Sequence, residues 1–357
     1  MMHTEIAVIG GGPAGMCAAL AAARNGARVT VFDREKKLGG QLVKQTHRFF
    51  GSEKEYAGTR GINISTLLKE EIKKNKLIDV RSDATVLAIY HDGVITFEEG
   101  KTYNRLTSEK TIIATGASEK MLPFPNNDLP GVYGAGAVQT LMNQYGVVPG
   151  NKVLMVGAGN IGVIVSYQLM QAGVKVEAII DAAPQIGAYL VHASKVRRLG
   201  VPILTSHTIK EAIGENFVEG AVICELDENW KQIPKTEKKM DVDLICLSVG
   251  LSPLVELLRH VECEMRYVPH LGGFVPVRNE NLETTVSGYY VAGDASGIEE
   301  ASSAMIEGSI AGLSACEALG YGENIEKQKM QYIQELEILR SGIVGEKIRT
   351  GLKLLVG

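Results

Sequence analysis

Ile6-Ala7-Val8-Ile9-Gly10-Gly11-Gly12-Pro13-Ala14-Gly15 is an apolar run that breaks into a GxGxxG turn and then into the alanine-rich stretch 16–24. Glycines at these spacings answer three demands: a tight turn, close approach of backbone to a pyrophosphate, and close packing of helix on strand. The following helix directs the positive end of its dipole to the same place. At a distance of 147 positions, counted from Gly10 to Gly157, the pattern returns as Val153-Leu154-Met155-Val156-Gly157-Ala158-Gly159-Asn160-Ile161-Gly162.

A GxGxxG turn alone also serves simple packing. Here each turn sits in a strand-helix-strand context closed by an acid. Asp33 ends the apolar strand 29–32, 18 residues past Gly15, and Asp181 ends 176–180, 19 residues past Gly162. Both fall where a carboxylate accepts hydrogen bonds from a ribose diol. The pairing predicts an α/β protein with two Rossmann-like dinucleotide-binding domains.

With 357 residues, 45% hydrophobic and 22% charged, the chain has room for two ordinary globular cores. A net charge of −4 and the lack of an arginine-rich stripe argue against a nucleic-acid surface. Apolar runs are shorter than a membrane span requires, and strand one starts without a signal stretch, so a cytoplasmic location is expected. The five cysteines (Cys17, Cys224, Cys246, Cys263 and Cys316) are odd in number and scattered, which reads as reduced thiols.

The first domain is expected over 1–118 and 276–320, the second, inserted, over 119–275, and a helical tail over 321–357. Residues 111–116 close the first unit, and 243–250 echo them in the second. The segment 288–294 reads as a strand returning to the first domain. A proline-rich connector, 122–130, marks the crossing. Within 44–63, His47-Arg48-Phe49-Phe50-Gly51 is a loop in which His47 is a weak catalytic candidate. His192, Lys195, Arg197 and Arg198 read as a solvated basic face, and Trp230 as a surface residue. The tail's basic, apolar end, 343–356, suits partner docking, and truncation after Gly320 is expected to leave the cofactor bound.

Together with Ala114-Thr115-Gly116 and Gly293-Asp294, the two fingerprints resemble the flavoproteins with two dinucleotide-binding domains, the thioredoxin-reductase-like and glutathione-reductase-like class. The likeness covers residues 4–320. It implies FAD in the first domain, held by Gly10, Gly12, Pro13, Ala14, Gly15, Asp33, Arg34, Gly40, Gln41, Val86, Ala114, Thr115, Gly116, Gly293, Asp294 and Ala301. It further implies NAD(H) or an adenine nucleotide in the second, held by Gly157, Gly159, Asn160, Ile161, Gly162, Asp181 and Gly250. The helix after Asp294, 297–305, would aim its N–H groups at the flavin, with Glu299 and Glu300 as favourable first-turn charges.

Disulfide reductases of this class relay electrons through a close Cys pair, and none occurs here. Neither iron-sulfur spacing nor a metal site is expected. A narrower resemblance accommodates that lack. Residues 38–47, 157–169 and 293–301 look like the alpha subunits of dye-linked amino-acid dehydrogenases, with L-proline and hydroxyproline dehydrogenases, opine oxidase, hydrogen cyanide synthase and sarcosine oxidase among the relatives. The likeness implies an electron-transfer subunit beside a beta-type flavoprotein subunit that oxidises the amine, with a small iron-sulfur subunit. Two other readings remain: a stand-alone NAD(P)H-dependent reductase passing electrons to ferredoxin or quinone, and a nucleotide-binding scaffold.

Overall fold

The computed structural model describes residues 2–49, 53–343 and 345–355. Phe50 and Gly51 of the His47 loop, and Val344 and Val356 of the tail, lie outside the described residues. The chain divides into two units, Met1–Ser118 with Leu251–Gly357, and Glu119–Gly250.

The first pass through unit 1 lays down β1 (Met2–Ile9), α1 (Pro13–Arg24), β2 (Val29–Asp33), α2 (Gly61–Lys74), β3 (Ile78–Ser82), β4 (Ala84–Ile89), β5 (Val94–Glu99) and β6 (Thr102–Ile113), and the short β7 (Ala117–Glu119) ends on the first residue of unit 2. Its sheet runs β3-β2-β1-β6-β5-β4. Strand β1 pairs in parallel with β2, Ile6 opposite Val29, and with β6, Ile9 opposite Ile113. Because Ile6, Ala7 and Val8 are buried on both faces, the strand is a continuous apolar run and does not alternate.

Unit 2 repeats the plan with β8 (Val132–Gly134), α3 (Ala135–Tyr145), β9 (Lys152–Val156), α4 (Asn160–Gln171), β10 (Lys175–Asp181), α5 (Leu190–Arg198), β11 (Ile203–Thr205), β12 (His207–Ile213), β13 (Gly220–Glu225), β14 (Lys238–Met240) and β15 (Leu244–Leu247). Five strands form a parallel sheet, β11-β10-β9-β15-β8, and β12-β13-β14 form an antiparallel one. The proline-rich connector belongs to this unit, where Leu122, Phe124 and Leu129 pack on its core.

The chain returns through β16 (Leu251–Pro253), α6 (Glu256–His260), β17 (Met265–Val268), β18 (Gly273–Pro276), β19 (Tyr289–Val291), α7 (Ala301–Ala318), α8 (Ile325–Leu339) and α9 (Glu346–Lys353). Strand β19 pairs in parallel with β6, Val291 opposite Ile113. The expected boundary at 275 moves to Leu251, because Val255, Leu258, Val261 and Cys263 share a core with Ala7, Ile9 and Phe97 of unit 1.

Helix α7 is buried from Ser302 through Cys316, as an all-round apolar helix must be. It approaches α1 through glycine: a Cβ on Gly308 would stand 2.0 Å from the Ala14 carbonyl oxygen, and one on Gly312 2.3 Å from that of Ala18. The tail is packed on unit 1. Ile325 and Leu336 enter its core, and Leu355 joins Val268, Leu271 and Val275. Truncation after Gly320 would therefore remove core side chains.

Candidate functional site

The two fingerprint turns are built alike, hydrogen bond for hydrogen bond. The Gly10 N–H donates to the Phe32 carbonyl (2.8 Å) and the Gly157 N–H to that of Ile180 (2.7 Å). Both glycines need positive φ, +107° and +114°, and a Cβ would meet the Ala114 oxygen at 2.2 Å or the Ser248 oxygen at 2.1 Å. The third glycines fix the helix: a Cβ would lie 1.8 Å from the Gly10 oxygen at Gly15, and 2.0 Å from the Gly157 oxygen at Gly162.

The acids bond in the same way. Asp33 Oδ2 accepts the Gly11 N–H (2.8 Å) and its Oδ1 the Glu35 N–H (2.8 Å). Asp181 Oδ2 accepts the Ala158 N–H (2.6 Å) and its Oδ1 the Ala183 N–H (2.8 Å). Each carboxylate oxygen has one donor in these bonds and keeps acceptor capacity for a ribose hydroxyl. Burial pushes the Asp33 carboxyl up, against the pull of the Glu35 and Gly11 N–H groups. After each acid the chain crosses its own turn, with Gly39 N–H on the Gly11 carbonyl (2.8 Å) and Ala188 N–H on that of Ala158 (3.0 Å).

Gly12 is the N-cap of α1 and supplies no side-chain cap, and the sole atom within 4 Å of a Cβ there is Gly40 Cα, at 3.9 Å. First-turn amides of α1 thus meet a strip of bare glycine backbone, the shape and polarity that the FAD pyrophosphate takes. The residues present fit that group. Gly159 heads α4 in the same way, with nothing within 4 Å of a Cβ.

Ala114 lies under Gly10. Thr115 Oγ1 donates to the Leu254 carbonyl (2.7 Å), and the Leu254 N–H donates to the Gly116 carbonyl (2.9 Å). Val86 is on the edge strand β4, whose start is drawn to the Asp33 loop by the Asp83 N–H on the Glu35 carbonyl (3.0 Å). Gly293 faces Ala14, 2.9 Å from a Cβ to Cβ, and Asp294 shares its turn. Arg34 and Gln41 are exposed, and His47 stacks on Phe49 at 5.8 Å between ring centroids. In unit 2, Asn160 Oδ1 accepts the Tyr189 N–H (2.8 Å), Ile161 is exposed, and the Gly250 carbonyl accepts the Lys120 N–H (3.0 Å). Trp230 is exposed.

Three sequence expectations change. Helix α7 begins at Ala301 with Glu300 as N-cap, so the stretch 297–300 precedes it. Glu299 is accordingly no first-turn charge. It accepts a two-pronged contact from Arg340, Nε to Oε1 at 2.8 Å and Nη2 to Oε2 at 2.6 Å. His192 is buried against Tyr189 rather than solvated, and burial, then Lys195, lowers its pKa.

Behind the Gly293 turn lies a cluster that motif reading missed. Glu307 Oε2 accepts the Gly293 N–H (3.0 Å) and the Ser296 hydroxyl (2.8 Å), while Oε1 accepts Arg278 Nη2 (3.1 Å) and Arg340 Nη2 (2.6 Å). Burial alone would raise the Glu307 pKa, but Arg278 and Arg340 hold it below the usual carboxylate value. Burial lifts the Asp294 carboxyl to about 7, against the Glu299 N–H, with Glu307, Glu299 and Glu300 adding to the rise. One signal was present: Glu307 is the lone charge within the apolar run 301–316.

All five cysteines are free thiols. Burial pushes Cys17 and Cys316 up to about 12 and raises Cys224, Cys246 and Cys263 too, so each is held as the unreactive thiol. Among the described residues no group of His, Cys, Asp or Glu is placed to hold a metal ion, and no helix is long and apolar enough to cross a membrane.

A family model described as pyridine nucleotide-disulphide oxidoreductase matches residues 4–308. One of the opine oxidase subunits of Agrobacterium tumefaciens (strain Ach5) is 28% identical over 328 residues, which cover 87% of this chain and 65% of that protein. The sarcosine oxidase alpha chain of Corynebacterium sp. (strain P-1) is 25% identical over 331 residues, covering 90% of this chain and 33% of that one. The chain thus spans from a third to just under two thirds of these curated relatives. L-proline dehydrogenase from P. horikoshii shares the fold, with a TM-score of 0.72 at 22% identity over 94% of this chain and 59% of that structure.

Proposed function

The chain belongs to the pyridine nucleotide-disulphide oxidoreductase family, and from that premise we propose that it is the FAD-holding, electron-transfer subunit of a multi-subunit amine or amino-acid dehydrogenase. It is an FAD-dependent oxidoreductase related to subunits of opine oxidase and sarcosine oxidase. The substrate class is a secondary amine such as proline, hydroxyproline, sarcosine or an opine. Partners are a beta-type flavoprotein subunit plus a small iron-sulfur subunit, in the cytoplasm.

The observation that carries this reading is the coexistence of two intact nucleotide cradles with five separate free thiols, four of them buried and Cys17 partly so. The bound flavin supplies two-electron redox chemistry, and the protein supplies binding, orientation and electrostatics. Gly10, Gly12 and Gly15 with the amides of α1 seat its pyrophosphate, Asp33 holds the adenosine ribose, and the backbone of Val86 meets the adenine. Gly40, Gln41 and Arg34 border the same channel. Ala114, Thr115 and Gly116 floor it, Gly293 and Asp294 meet the ribityl chain, and Ala301 opens the helix aimed at the ring. Gly157, Gly159, Asn160, Ile161, Gly162, Asp181 and Gly250 seat NAD(H) or an adenine nucleotide in unit 2.

The test is purification of the full chain, alone and co-expressed with the products of neighbouring genes. We expect bound FAD, amine-dependent dye reduction by the complex, no reduction of disulfides, and co-purification of a second flavoprotein. Absence of flavin, or NAD(P)H-dependent disulfide reduction, would overturn the reading. A second reading, a stand-alone NADH-dependent reductase, is favoured by the Asp181 bonds that duplicate those of Asp33. Rapid bleaching of the flavin by NADH, in the chain alone, would select it.

A further inference from the structure

Arg340 follows α8 directly, and with Arg278, Glu299 and Glu307 it forms a buried group of two guanidiniums and two carboxylates. Side-chain exposure is 13%, 8%, 9% and 3% respectively. Charges this dry are tolerated only when they balance and their hydrogen bonds are made. Balance depends on Arg340, because Arg278 reaches Glu307 alone in the described ion pairs while Arg340 bridges both acids. The same Glu307 that takes Arg340 on one oxygen uses the other to clamp the Gly293 N–H and the Ser296 hydroxyl. Arg349 of α9 in turn donates to the Arg340 and Gly342 carbonyls, which ties the last helix to the same point.

We infer that Arg340 is a positioning residue for the cofactor. By neutralising Glu299 and Glu307 it holds the Gly293–Ser296 turn in place, so that FAD retention in unit 1 depends on the segment after α8. The inference rests on the reading that this turn meets FAD. Without Arg340, Arg278 is the one guanidinium left against two buried carboxylates and is paired with Glu307, and Glu307 gives up its clamp on the turn as it takes a proton or turns toward water. Arg340 thereby acts through the turn and touches no reacting atom.

The test uses the full-length chain stripped of flavin and titrated with FAD, with affinity read from flavin fluorescence and folding from circular dichroism. Arg340→Met is expected to bind FAD at least tenfold more weakly than the unmodified chain, and Arg340→Lys to fall between them. Glu299→Gln combined with Arg340→Met leaves a balanced Arg278–Glu307 pair and is expected to regain most of the lost affinity. A double variant as weak as the single one would mean that Arg340 only docks the tail, and would overturn the inference; so would wild-type affinity in Arg340→Met. If Arg340→Met does not fold, wild-type affinity in Arg340→Lys overturns it. Failure of the unmodified chain to take up FAD is a separate result, and defeats the functional reading along with it.

Discussion

At Gly10–Gly15 the backbone turns over Ala114 and is met at Ala14 by Gly293 and Gly308 of the return segment, whereas at Gly157–Gly162 it turns over Ser248 and leaves Ile161 exposed. The short-range bonds match: amide to strand, acid to amide, crossing loop to carbonyl. What differs is cover. The first turn is enclosed by α7, and the clamp behind that helix reaches Arg340; the second is packed by local elements of its own unit. Local sequence thus suffices to build a dinucleotide seat. The enclosure of one seat depends on residues nearly three hundred positions away.

The largest effect should come from the third glycine. Gly15→Ala places a Cβ 1.8 Å from the Gly10 oxygen, a backbone collision that side-chain motion cannot relieve. Loss of FAD and of more than about 4 kcal/mol of unit 1 stability is expected. The matching change, Gly162→Ala, should damage unit 2 and spare the flavin. Calorimetry with flavin quantitation checks both, and loss of flavin in Gly162→Ala would break the comparison.

Asp294 gives the next effect, and it depends on pH. Its folded pKa of about 7 stands above the ordinary 3.8, so the folded chain holds a proton there that the unfolded chain has released. The stabilisation from this group is present in full below about pH 4 and is lost as pH rises through about 7. In the flavin-free chain, Asp294→Asn should flatten that loss and raise stability at pH 8 by up to roughly 4 kcal/mol, while weakening FAD binding. Melting curves at pH 5 and pH 8 decide, and an unchanged pH slope would count against the buried proton.

These contrasts also mark what was legible in the chain. Both fingerprints, both acids and the helical character of the tail follow from local spacing, because turn sterics and helical period act over a few residues. The partner of Glu299 could not be read so: Arg340 lies 41 positions on, and nothing in either neighbourhood names the other. Glu307 announced a buried partner by being charged among alanines, yet not which one. The boundary at Leu251 was hidden for the same reason, since Val255 and Leu258 are apolar enough for either core.

The smallest effect exchanges a residue at which the turns differ by a single methyl, with no positive φ in either, Gly11 against Ala158. A Cβ on Gly11 would meet Leu38 Cδ2 at 2.3 Å and Asp33 Oδ2 at 2.6 Å. Leu38 can swing aside, but the carboxylate is held by two amides, so Gly11→Ala should cost about 1–3 kcal/mol and weaken FAD binding. Ala158→Gly removes a buried methyl and loosens the unfolded chain, with an expected loss of roughly 0.4–1 kcal/mol. Thermal melts of both variants measure the asymmetry. Equal losses would mean that Asp33 moves freely, and that the first seat is no more tightly enclosed than the second.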